Sequence, residues 1–302
     1  MTPAKRRKRR EQLKITVGPF RGISDYNTCM EIQREVWRFE DIDIVPSTML
    51  LAAAHCGGTN LAAYNSLGEM IGFAASIFGV ERGELIQHSH MLAVRSAYRN
   101  FNVGFRLKLC QRKESLKGKV RTITWTFDPM QPLNAYFNLG KLGARATGYE
   151  EDFYGETTSA LHRGLPTDRF VTRWDLTSDR VTERLEDGPP QYDLRKLLKR
   201  FPLINRLEEV APGMTASSPV KLNCTEPEVL FEIPYNLPEI KTRNLGVALE
   251  WQGKMRQVFR VYFKKGYQAT DFCVSEDDGH LRAFYFLEKP NAQKRSGGSR
   301  RA

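Results

Sequence analysis

Residues 90–112 constrain this chain most: an apolar strand ending at Val94 runs into a loop from Arg99 to Gly104, and the loop opens an amphipathic helix. The first turn of a helix carries backbone N–H groups with no intrahelical partner, and the helix dipole adds positive potential there. Anionic oxygens lying over Asn102, Val103, Gly104 and Phe105 are therefore bound without a metal, and Arg99 adds a full charge. The loop reads as a diphosphate cradle, although a short glycine motif also occurs in ordinary strand–loop–helix connections.

The elements that follow narrow the choice. Val120–Phe127 is β-branched and aromatic, as strands are, and Asp128-Pro129 ends it. Leu133–Gly143 reads as a helix closed by glycine. Together these residues resemble the acetyl-CoA-binding signature of the GNAT acyltransferases. Val94, Arg99, Asn102 and Gly104 fill its positions, with Asn102 where glycine is usual, and Lys141-Leu142-Gly143-Ala144 is similar to the turn that ends the family's next helix. Asn is the non-glycine residue that best tolerates a left-handed backbone, so the loop keeps its expected shape. The resemblance covers roughly residues 15–176 and is similar to a bacterial subgroup of predicted acetyltransferases.

What the resemblance implies is an α+β fold, a mixed sheet split between its fourth and fifth strands, with coenzyme A inserted in the split. It implies acetyl-CoA-dependent transfer to a small amine or amino-acid-like substrate by direct attack. Main-chain groups around Leu92 and Val94 are then expected to hold the thioester carbonyl and the pantetheine. Arg99, Asn102, Val103, Gly104 and Phe105 take the diphosphate, and Asn134 is a further coenzyme A contact. Family members with an identified base often carry Glu six residues before the position of Val94; here that residue is His88. Period-two alternation puts His90 on the same side. Either imidazole suits proton acceptance near neutral pH, the bland reading being buried, hydrogen-bonded strand residues.

The proton donor is less well matched. The family's tyrosine, four residues before the closing glycine, falls on Leu139. Tyr136 lies about one turn earlier, and Tyr149 and Tyr154 are alternatives. A coenzyme A-binding sensor or scaffold without transfer activity is accordingly the competing function. Asp128 either ends its strand or binds a cationic amine, and Asp168 with Arg169 is expected to form a local ion pair.

Charge and composition set the remaining bounds. The net charge of +11 resides in the tails: residues 1–14 carry seven basic side chains and one acidic, residues 292–302 four basic ones, leaving a surplus of one between them. Both tails are expected to be solvated and disordered, which makes nucleic-acid binding the least favoured function. No apolar run approaches the roughly 20 residues of a membrane span, and no apolar stretch follows Lys5–Arg10, so a cytoplasmic protein is expected. Five scattered cysteines read as reduced thiols, with no metal site.

Periodicity gives the order β-α-α-β-β-β-α-β-α-β-β: a strand at residues 15–17, helices from a Ser24 cap to Trp37 and after Pro46, then strands at 59–65, 70–78 and 85–94. In the helix after the loop, Phe105, Leu109, Arg112 and Leu116 form the expected sheet-facing stripe, with Leu107 and Cys110 beside it. The acyl-CoA-binding domain is assigned to residues 15–178 and an irregular linker to 179–224. Residues 225–290 form an extension of one long helix and a β-hairpin around Asp277-Asp278-Gly279. The helix stripe Ala248, Trp251, Met255, Val258 and Tyr262 is expected either to cover the first domain's sheet or to form a homodimer contact.

Overall fold

The structure, a computed structural model, describes residues 14–159 and 164–290. Apart from Lys14, the basic tails therefore lie outside the described residues. These residues fall into two compact units, one within Met1–Trp125 and Thr157–Arg163, the other within Thr126–Glu156 and Gly164–Ala302. The division runs through the strand that ends at Phe127, well ahead of the boundary expected near residue 178.

The first unit is built on the strands β1 (Thr16–Pro19), β2 (Asn60–Tyr64), β3 (Met70–Glu81), β4 (Glu84–Val94) and β5 (from Thr122), adjacent in that order. Every neighbouring pair is antiparallel except β4 with β5, which is parallel. Helices α1 (Ile23–Trp37) and α2 (Ser47–His55) precede β2, and α3 (Val103–Lys117) joins β4 to β5. This is the element order expected from periodicity, in a mixed sheet as the resemblance implied. Helix α1 starts one residue before the expected Ser24 cap, and its first turn is held by Asp25, whose Oδ2 accepts the Arg21 N–H at 2.6 Å and the Tyr64 hydroxyl at 2.5 Å.

Two apolar layers enclose the sheet of this unit. On one face Tyr26, Cys29 and Ile32 of α1 pack with Phe73, Ala75, Met91 and Ala93; on the other Val103 and Leu107 of α3 pack with Leu61, Ala63, Ile71 and Ala74. The expected α3 stripe is displaced. Its buried residues are Val103, Leu107, Lys108, Gln111 and Ser115, while Leu109 is exposed. Hydrophobic periodicity misses this face because three of its five positions are polar.

The second unit contains α4 (Pro132–Ala135), continued by a π-helical turn at Tyr136–Lys141, then β6 (Arg145–Glu150) and β7 (Arg169–Asp175). The segment expected to be irregular holds α5 (Asp179–Glu186), α6 (Leu194–Arg200) and a hairpin of β8 (Leu207–Ala211) and β9 (Met214–Ser217). Beyond it come β10 (Glu228–Pro234), α7 (Leu237–Arg243), α8 (Leu245–Lys264), β11 (Gln268–Asp277) and β12 (His280–Glu288), and the strands adjoin as β7-β6-β11-β12-β10. The long helix and hairpin of the extension are therefore present as expected. The apolar stripe of α8, Ala248, Trp251, Met255, Val258 and Tyr262, is buried inside the chain, and Phe259 beside it meets Phe170 at 4.5 Å between ring centroids, Tyr285 at 5.4 Å and Phe231 at 5.7 Å. That stripe is not left over for a dimer.

The α2–β2 junction is tight enough to test. A Cβ on Gly58 would lie 2.2 Å from the Ser76 carbonyl oxygen and 2.7 Å from that of Ala53, whereas one on Gly18 would meet nothing within 4 Å. Gly58→Ala is expected to cost about 1–3 kcal/mol, the usual range for forced overpacking, and Gly18→Ala far less. Urea unfolding midpoints of the two variants check this; equal midpoints would contradict the packing described.

Candidate functional site

The central feature of β4 is one extra residue. Met91 pairs with Ala75 and His88 with Ile77, so two residues, Ser89 and His90, stand opposite Ser76 alone. Such a bulge rotates the strand and reverses which side chains face each way beyond it. Before it, Gln87 and Ser89 reach α3 side chains; after it, Leu92 and Val94 pack on that side. The parallel ladder to β5 runs Ile86↔Thr122, Gln87↔Ile123 and His88↔Thr124, the last pair falling where the bulge begins. The strands thus part directly after His88, earlier than Leu92–Val94, where the resemblance implies that the fourth strand bulges away from the fifth.

His88 sits at the fork. Its Nδ1 is 3.1 Å from Thr124 Oγ1, the direction of the bond being set by the tautomer, and its ring centroid lies 6.4 Å from that of His90. Burial, with the charges of His90 and Lys108, lowers the His88 pKa below the ordinary histidine value. His90 presents more surface to solvent, yet crowding by surrounding atoms lowers its pKa as well. Both rings are therefore neutral at pH 7. The two histidines lie together as alternation predicts, and the reversal of side-chain faces comes after His90.

Behind the strand is a polar cluster. Lys108 Nζ donates to Ser89 Oγ at 2.8 Å and Gln111 Oε1 at 3.1 Å, and lies 4.0 Å from the centre of the Trp125 ring. Ser89 Oγ donates to Gln111 Oε1 at 3.2 Å, and Gln87 Oε1 accepts from Ser115 Oγ at 2.7 Å. Lys108 was not singled out in the sequence, where it reads as one more surface lysine. The available signal was its place one residue beyond Leu107 on an otherwise ordinary helix.

The loop ahead of α3 carries the left-handed turn expected at Asn102. Asn102 adopts a left-handed conformation, φ 59° and ψ 20°, as the residue before α3, and Asn100 does the same at φ 69°. The first intrahelical bond runs from Arg106 N–H to Asn102 C=O at 3.0 Å, placing the Val103, Gly104 and Phe105 amides in the first turn. Arg99 is exposed beside this turn. Arg95, by contrast, is engaged with Glu35 at 2.5 Å and the Met70 carbonyl at 3.2 Å.

Other expected residues belong to the second unit. Asn134 is exposed on α4, and Tyr136 is half-buried at the start of the π-turn. Leu139 is fully buried. Because the π-turn widens the helix there, counting back from Gly143 at 3.6 residues per turn does not locate equivalent positions. Tyr149 donates its hydroxyl to Asp168 at 2.6 Å, and burial together with that carboxylate raises its pKa, which makes it a poor proton donor. Tyr154 is exposed, its hydroxyl 3.2 Å from Thr126 Oγ1.

Asp128 closes β5 with a local turn. Its Oδ1 accepts the Met130 N–H at 2.8 Å and its Oδ2 the Gln131 Nε2 at 3.4 Å, while burial raises its pKa against the opposing charges of Arg169 and Lys241. Asp168 does not form its expected local ion pair with Arg169; Arg256 of α8 takes both carboxylate oxygens, at 2.6 and 2.7 Å. All five cysteines are free thiols. Among the described residues no cluster of His, Cys, Asp or Glu is arranged to hold a metal, and no helix is long and apolar enough to cross a membrane.

No family model matches the chain, and no curated protein matches it. Solved structures do. The chain is similar to Arabidopsis thaliana Naa50 in complex with a bisubstrate analogue (16% identity, 53% of this chain and 97% of that one, TM-score 0.42). It is similar to the ribosomal-protein-S18-alanine N-acetyltransferase from Escherichia coli (15% identity, 54% and 95%, TM-score 0.42). It is also similar to an aminoglycoside 6'-N-acetyltransferase complexed with coenzyme A (15% identity, 54% and 98%, TM-score 0.42).

The left-handed backbone at Asn102 gives a direct test. Valine at φ 59° costs about 1–2 kcal/mol and glycine nothing of that kind. Asn102→Val is expected to lower the urea midpoint while Asn102→Gly leaves it near wild type; the reverse order would mean that the turn is built differently.

Proposed function

We propose that this chain is an acyltransferase of the GNAT type, moving an acetyl group from acetyl-CoA to the nitrogen of a small amine or amino-acid-like substrate. The observation that carries the reading is the fork at His88: the β4–β5 ladder ends at His88↔Thr124 just where β4 bulges. An extended pantetheine chain lies naturally along main-chain groups of a strand that has lost its neighbour, and Leu92 to Val94 are the groups in question. Arg99 and the amides of Asn102 to Phe105 suit the diphosphate, for the reason that a helix N-terminus suits any anion.

In the proposed reaction the amine nitrogen attacks the thioester carbonyl carbon, a tetrahedral intermediate forms, and the carbon–sulfur bond breaks with its electron pair leaving on sulfur. The amine proton passes to neutral His88, directly or through one water, with His90 as the second acceptor. The thiolate takes a proton from solvent. Oxyanion charge is met by main-chain N–H groups of β4.

Gly104→Glu puts a side chain and a negative charge in the first turn of α3, and isothermal calorimetry is expected to show acetyl-CoA binding lost. Affinity equal to wild type would remove the loop from the site. His88→Ala is expected to lower kcat by roughly 10²- to 10⁴-fold with coenzyme A affinity nearly unchanged, and His90→Ala tests the second acceptor. Since the His88 pKa is lowered, protonation disables it only below the ordinary histidine range of about 6.5; the wild-type rate should rise with pH through that lower pKa and then level. The His88→Ala profile lacks this limb. The competing reading is a coenzyme A binder without transfer, since Tyr149 is a poor proton donor. A thiol-release assay over an amine panel, run on protein shown to bind coenzyme A, separates the two.

A further inference from the structure

A lysine amine taken out of water loses its hydration, so a buried one needs acceptors that meet its N–H groups. Lys108 is 3% exposed, and burial pushes its pKa down to about 7. An ammonium has three N–H donors. Among the groups that meet this ammonium are the Ser89 hydroxyl, the Gln111 amide oxygen and the face of the Trp125 ring. Gln111 turns its oxygen to this group although its buried Nε2 then finds no hydrogen-bond partner. Both Lys108 and Ser89 donate to that oxygen, so a flipped amide would set donors against donors. The whole arrangement fits the charged form.

Ser89 is one of the two bulged residues, placed between His88 and His90. We propose that Lys108 is a positioning residue for His88: its ammonium clasps Ser89 from behind the strand, fixing the bulge that carries His88 and setting a cationic charge behind the imidazole. The inference rests on the reading of His88 as proton acceptor. The groups around the imidazole are Thr124 of β5, His90 of β4 and Ile77 of β3, with Lys108 acting from α3. Both charges that act on His88, those of His90 and Lys108, are cationic and favour its neutral form. Held this way, the ring keeps its lone pair at a pH where an ordinary histidine is partly protonated.

The test is NMR on the full chain with labelled histidine and lysine side chains, Lys108 being assigned by its loss in Lys108→Met. In wild type the Lys108 Cε resonance is expected to titrate near pH 7, and the His88 ring resonances to show the same inflection beside their own, because two interacting sites titrate together. In Lys108→Met the His88 titration is expected to move up by roughly 0.5–1 pH unit, the low end of the effect of a nearby charge. The acid limb of kcat should move with it while coenzyme A affinity stays. An unmoved His88 titration in folded Lys108→Met overturns the proposal. If that variant does not fold, wild-type His88 resonances blind to the Lys108 titration overturn it equally. These readings need no acyl transfer. Coupling seen in a protein that acetylates no amine would sink the proposed function and leave the lysine's role standing.

Discussion

Between His88 and Met91, β4 carries one residue more than β3 can pair, and the ladder to β5 stops at the same place. An antiparallel ladder cannot absorb an extra residue without turning the strand, and a turned strand points its hydrogen-bonding groups away from its other neighbour. The fork, the placing of the two histidines and the reversal of the side-chain faces all follow. Gln87 and Ser89 can then face α3 on one side of the bulge, with Leu92 and Val94 facing it on the other.

A bulge of this kind needs support, and here it is polar. Ser89, Lys108, Gln111 and, further along, Gln87 and Ser115 form hydrogen-bonded contacts under β4, where an apolar core would hold the strand without direction. Hydrogen bonds are directional and a buried one left unmade is costly, so such a cluster admits few alternative registers. Burial lowers the pKa of both histidines, and the charge of Lys108 in this cluster adds to the effect on His88. Structure and chemistry at the fork have one cause.

The second unit shows a different economy. Its aromatic centre, Phe170, Phe231, Phe259 and Tyr285, is drawn from β7, β10, α8 and β12, elements separated by long stretches of chain. Asp168 is held by Tyr149 and by both arms of the Arg256 guanidinium. These contacts tie α8 to β6 and the start of β7, so the extension packs on strands that the sequence assigned to the preceding domain.

The sequence by itself determined the order of elements in the first unit, the strand–loop–helix turn after Val94, the left-handed need at Asn102 and the proximity of His88 and His90. These rest on local causes: β-branched runs, helix ends, and a residue that tolerates positive φ. The resemblance implied a bulge at Leu92–Val94, but its place at Ser89 and His90 was not legible, because those residues obey the same alternation whether or not one is left unpaired. Nor did it show the buried face of α3, where Lys108, Gln111 and Ser115 look like solvent-facing residues, or the π-turn that makes counting back from Gly143 unsafe. Asp128 ends its strand in a local turn, one of the two readings the sequence offered, whereas Asp168, read as a partner of Arg169, met Arg256 from 88 positions away. Tertiary structure decided these because a polar side chain's fate depends on which partner the fold brings within hydrogen-bond reach, and that partner is rarely near in sequence.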